Sequence, residues 1–115
     1  MEHLVDLDVL ADRLRPVVEG WRREVDVGPL TWRDYEAGWP KPITPDRASV
    51  RVPESLGLTL RKRAVGDVLE IVVYTGGWAD VEYLVGLEVY TFCHEFRDAD
   101  GAYSAVMSGV TDFLA

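Results

Sequence analysis

Cysteine occurs once in the 115 residues, at Cys93. No internal disulfide can form, and a single thiol suits a reducing compartment. No apolar run approaches the roughly 18–20 residues needed to cross a bilayer, and the Met-Glu-His start lacks the basic residues that open a signal peptide. The expected location is therefore cytoplasmic. Imidazole is scarce as well, limited to His3 and His94, and no tight His/Cys spacing suggests a metal centre. Basic charge is nearly missing from the second half. Residues 64–115 hold Arg97 alone against Asp67, Glu70, Asp80, Glu82, Glu88, Glu95, Asp98, Asp100 and Asp112, so this half carries the whole net charge of −8. A phosphate backbone requires a basic footprint, and this distribution argues against nucleic acid as a partner. It is explained either by solubility alone or by complementarity to a basic partner.

What is present is ordinary globular material, 48% apolar and 28% charged, enough for one domain over residues 1–115 with one core. Its centre is the stretch Leu69–Phe96, which reads as three consecutive strands. Leu69, Ile71 and Val73 alternate with Glu70, Val72 and Tyr74, and Gly76-Gly77 supplies a reversal. Ala79, Val81, Tyr83 and Val85 then oppose Trp78, Asp80, Glu82 and Leu84, up to Gly86. In the third run Leu87, Val89, Thr91 and Cys93 oppose Glu88, Tyr90, Phe92, His94 and Phe96. Sorting by polarity gives a mainly aliphatic face, with Cys93 as a small buried residue, and an acidic face studded with aromatics.

Before this stretch, Leu4, Leu7, Leu10, Leu14, Val17, Val18 and Trp21 recur at helical spacing over residues 4–25, with Pro16 either kinking the helix or dividing it. Residues 26–46 hold four of the six prolines together with Trp32, Tyr35 and Trp39, and read as a connecting loop. Its aromatics either dock on the body or form a contact surface. Short strands are expected at Ser49–Pro53 and over Leu58–Arg61. After Phe96, Tyr103, Val106, Met107, Val110, Phe113 and Leu114 make a helical stripe, in which Gly109 signals a close crossing. The expected fold is α+β: an antiparallel meander of about five strands with the N-terminal and C-terminal helices packed on one face.

Catalytic patterns are weak. Cys93 and His94 are adjacent on a strand and point to opposite faces, so they cannot act as nucleophile and base. Asp80 and Glu82 share a face, but no pocket to separate their pKa values is evident. Gly76-Gly77 lacks the context of a phosphate loop. The reading is non-enzymatic, without cofactor or metal.

Tyr74-Thr75-Gly76-Gly77-Trp78-Ala79-Asp80-Val81-Glu82, the strand begun by Gly86 and ended by Glu95-Phe96, and the acid-capped helix ending in Phe113-Leu114 resemble the small immunity proteins of bacterial polymorphic toxin systems. The likeness is closest to the TriTu-type group and covers about residues 71–114. It implies an inhibitor that binds a cognate toxin domain and blocks its active site or substrate groove. An acidic, aromatic face independently suits a basic partner such as a nuclease toxin. On that reading Asp80, Glu82, Glu88 and Tyr90 belong to the contact face, with Trp32, Tyr35 and Trp39 as anchors. Two alternatives stay open: a small-molecule-binding or catalytic domain with a cavity between sheet and helices, and a self-associating module.

Overall fold

The computed structural model describes residues 2–115. Helix α1 (Leu7–Trp21) begins at Asp6, whose carboxylate accepts the Asp8 and Val9 N–H groups at 3.0 and 3.1 Å and so satisfies two donors that have no intrahelical acceptor. Leu7, Leu10, Ala11, Leu14, Val18 and Trp21 form its buried stripe. Pro16 lies inside this single helix. Its side chain is on the exposed face, where water can hydrate the Asp12 carbonyl left without its usual donor.

The expected loop begins instead as a sheet edge. Strands β1 (Asp26–Val27) and β2 (Thr31–Asp34) both pair antiparallel with β3 (Pro53–Arg61), Asp26 opposite Arg61 and Trp32 opposite Leu56. Gly28-Pro29-Leu30 interrupts what is otherwise one edge strand, and proline is compatible with such an edge because it has no donor to lose. Trp32 also exchanges backbone hydrogen bonds with Thr44, 2.7 and 3.0 Å, so the proline-rich return segment is held against β2. The strand expected at Ser49–Pro53 is not formed. A 3₁₀ turn (Arg47–Ser49), capped by Asp46, occupies that region, and pairing starts at Pro53.

From β3 the chain meanders through β4 (Val68–Tyr74), β5 (Trp78–Val85) and β6 (Glu88–Glu95), every pair antiparallel. Helix α2 (Ala99–Leu114) follows, capped by Asp98, which accepts the Gly101 N–H at 2.8 Å. The α+β architecture is thus a six-strand antiparallel sheet, β1 and β2 sharing one edge and β6 forming the other, with both helices on one face. Leu56, Leu58 and Leu60, Leu69, Ile71 and Val73, and Ala79 and Val81 meet Leu10, Leu14, Val106, Val110 and Phe113 in the core. At Gly109 an added Cβ would stand 3.3 Å from Ile71 Cδ1, so the missing side chain lets α2 approach β4, the crossing that the glycine signalled.

Candidate protein-binding surface

Side chains directly opposite in an antiparallel ladder share a face, so the register sorts every candidate. Asp80 stands between Val72 and Cys93, and Glu82 between Glu70 and Thr91. These side chains lie on the face without helices, hereafter the open face. Trp78 is opposite Tyr74 on one side and Glu95 on the other, and its ring stacks on Tyr74 with centroids 4.9 Å apart and planes at 17°. The open face therefore carries a stacked aromatic pair beside Glu70, Asp80, Glu82 and Glu95. Among the described residues none of these four carboxylates forms an ion pair; the pairs that do form involve other residues. Glu70 and Glu82 face one another directly, a like-charge pairing that costs the fold stability.

Glu88 and Tyr90 are not on this face. Val85 pairs with Glu88 and Tyr83 with Tyr90, which places both with Phe92 and His94 on the helix side. The sequence reading paired β6 by hydrophobicity, whereas the connection decides its register. Gly86 and Leu87 are the only residues between paired Val85 and Glu88, and Gly86 has φ of +61°, the first-position glycine of a two-residue hairpin turn. Sequence hydrophobicity is uninformative here because all of β6 is exposed on both faces. Cys93 is accordingly exposed rather than buried.

On the helix side Tyr90 donates its hydroxyl hydrogen bond to Glu88 Oε2, and the neutral phenol retained by that bond raises its pKa from the ordinary 10.0. Phe92 packs edge-on against Tyr83, centroids 5.7 Å apart. Tyr83 donates to the Gly109 carbonyl at 3.1 Å, and burial, helped by the Asp112 charge, pushes its phenol pKa up. A groove of about 520 Å³ runs between these aromatics and the Ser108–Asp112 turn of α2. It exists because α2 covers β4 and β5 and leaves β6 bare.

The three aromatics of the 26–46 region separate. Trp32 is 2% exposed, a core residue on the side of Leu56, and cannot anchor a partner. Tyr35 is held edge-on by His3, centroids 5.1 Å apart, and its ring lies 5.1 Å from Lys41 Nζ. Trp39 alone is free, 88% exposed.

A second cavity, about 500 Å³, lies between α1 and the β1–β2 edge, with Trp32, Pro16, Pro29 and Pro45 in its wall. Arg15, Arg22 and Arg47 stand at its rim, but each already pairs with a carboxylate, of Asp12, Glu19 and Asp8. Among the described residues no three His, Cys, Asp or Glu side chains are grouped to hold a metal ion, and no helix is long and apolar enough to cross a membrane. A scan of protein-family models, a search of curated proteins and a search of solved structures each return no match.

Proposed function

We propose that this protein is a non-enzymatic inhibitor that docks its open face on a basic protein partner, and that the partner is a toxin domain which the chain neutralises as an immunity protein. The observation that carries the reading is the Tyr74–Trp78 stack set beside Glu70, Asp80, Glu82 and Glu95, none of them ion-paired among the described residues. Aromatic pairs on rigid strands supply contact area at low entropic cost, and a surrounding carboxylate field speeds encounter with a basic surface. The uncompensated Glu70–Glu82 pairing supports binding, since a cationic partner would remove the repulsion. The toxin assignment rests on the sequence resemblance over residues 71–114. Glu88 and Tyr90 take no part in this face, and Trp39 is a second contact only if the partner extends beyond it.

The test is co-expression in a bacterial host with the products of adjacent reading frames, scored by growth. Rescue from a toxic neighbour is expected, and is expected to disappear when Asp80→Lys and Glu82→Lys are combined in a variant with an unchanged circular dichroism spectrum. Rescue that survives the double reversal would move the interface off the open face. If no neighbour is toxic, the immunity reading fails.

A further inference from the structure

We infer that the free edge of β6 pairs antiparallel with β6 of a second copy about a two-fold axis at Thr91, joining two sheets into one. This site is separate from the open-face docking proposed above and does not depend on it. The backbone sets which residues face outward. Phe96 N–H donates to Gly77 O at 3.0 Å, and hydrogen-bonded pairs alternate along an antiparallel ladder. His94, Phe92, Tyr90 and Glu88 therefore spend their backbone groups on β5, while Val89, Thr91, Cys93 and Glu95 direct theirs away from the sheet. Eight exposed residues with four outward donor and acceptor sites, bearing Val89, Tyr90 and Phe92 and bounded by a fully exposed Leu87, form an edge of the kind that soluble proteins cover or blunt. β6 has no proline, lysine or arginine to blunt it.

The strand is complementary to itself in one register. Two-fold pairing requires an outward residue to oppose an outward residue. Centred on Thr91, it sets Val89 against Cys93 of the other copy on the open face. On the helix side it sets Tyr90 against Phe92 and Glu88 against His94, each twice. These helix-side pairs are the non-hydrogen-bonded ones, whose side chains approach most closely. Centring on Phe92 instead would leave Glu88 against Phe96 and put Val89 against Glu95, losing both the Glu88–His94 and the Val89–Cys93 pairings. The helices permit the pairing. With strands about 4.8 Å apart, α2 of each copy, seated over β4 and β5, would lie about 19 Å from its mate. A helix is about 10 Å across, which leaves a channel between the two for the four aromatics that now line an open groove.

The decisive measurement is molar mass by sedimentation equilibrium over a concentration series. Twice the 12.9 kDa chain mass is expected at high micromolar concentration. Thr91→Pro removes the outward N–H at the axis and leaves every β5–β6 hydrogen bond in place, so it is expected to raise the dimer dissociation constant at least tenfold. A second variant does not rely on proline being tolerated: Thr91→Cys in a Cys93→Ser background is expected to form a disulfide-linked dimer under mild oxidation, faster than Phe92→Cys in the same background. A chain that stays monomeric at hundreds of micromolar overturns the proposal. So does a dimer that Thr91→Pro leaves intact while folded, or one that crosslinks faster through position 92.

Discussion

Thr75 holds three segments together at the β4–β5 turn. Its hydroxyl donates to the Val5 carbonyl at 2.9 Å, its own carbonyl accepts from Leu4 and Val5 N–H at 2.8 and 3.1 Å, and its N–H donates to Glu54 O at 2.8 Å. The residue is only 3% exposed. Thr75→Val keeps the shape and deletes one donor, leaving the Val5 carbonyl without that partner. A loss of about 1–3 kcal/mol is expected from the urea midpoint. Asp34 plays a similar part where β2 ends. Arg51, Val52 and Glu36 N–H groups all donate to its carboxylate, at 2.9 to 3.1 Å, and these bonds, that from Arg51 foremost, hold its pKa below the ordinary 3.8. Asp8 is lowered likewise, chiefly by the two-pronged hydrogen bond from Arg47 at 2.7 and 2.9 Å. Both carboxyls bind protons more weakly in the folded chain than in the unfolded one. Their contribution is complete above about pH 4 and is lost as pH falls through the lower folded values. Asp34→Asn is therefore expected to lower stability at neutral pH and to flatten the acid limb of a urea midpoint against pH; an acid limb as steep as wild type would remove Asp34 from that role.

At the scale of elements, α1 gives the clearest stability prediction. Pro16 deletes one hydrogen bond in a helix that remains continuous, and proline in a helix interior costs about 3 kcal/mol relative to alanine, offset by about 0.4–1 kcal/mol through its stiffening of the unfolded chain. Pro16→Ala is expected to raise stability by about 2–2.5 kcal/mol in denaturant titration. The helices and the central strands were legible in the sequence because burial on one side writes a period: 3.6 in α1 and α2, 2 in β4 and β5. Where burial fails, so does the period. β6 is outside the helix cover, so Val89 and Cys93 carry no core signal, and only the two-residue turn at Gly86-Leu87 discloses that Glu88 and Tyr90 lie on the other face of the sheet from Asp80 and Glu82. β1 and β2 were hidden for a different reason. Their hydrogen bonds go to β3, from Asp34 opposite Pro53 to Asp26 opposite Arg61, through a proline-rich stretch with a two-residue and a four-residue strand, too short for alternation to register. Trp32 was misplaced with them, since a lone tryptophan among prolines reads equally as anchor or core.

Taken whole, the molecule concentrates its negative charge on the elements that its own basic residues do not neutralise. Arg13, Arg15, Arg22, Lys41, Arg47 and Arg63 pair with carboxylates of the first sixty residues, apart from Arg13, which reaches Asp100 on α2. Among the described residues the open-face acids form no ion pair, although Arg33 and Arg61 share their face by register. Such a surface must trade stability for recognition if it exists to meet a cation, and the two quantities separate in one variant. Glu82→Gln removes the direct repulsion with Glu70 and is expected to stabilise the isolated chain by about 0.5 kcal/mol, with a melting temperature less responsive to added salt than that of wild type. The same change is expected to weaken binding to a basic partner. A carboxylate that merely solvates an outer sheet face would give the stability gain with no loss of binding. One engaged in an internal contact would give a stability loss. Only a gain in melting temperature accompanied by weaker partner binding fits a face whose charge is held in reserve for another molecule.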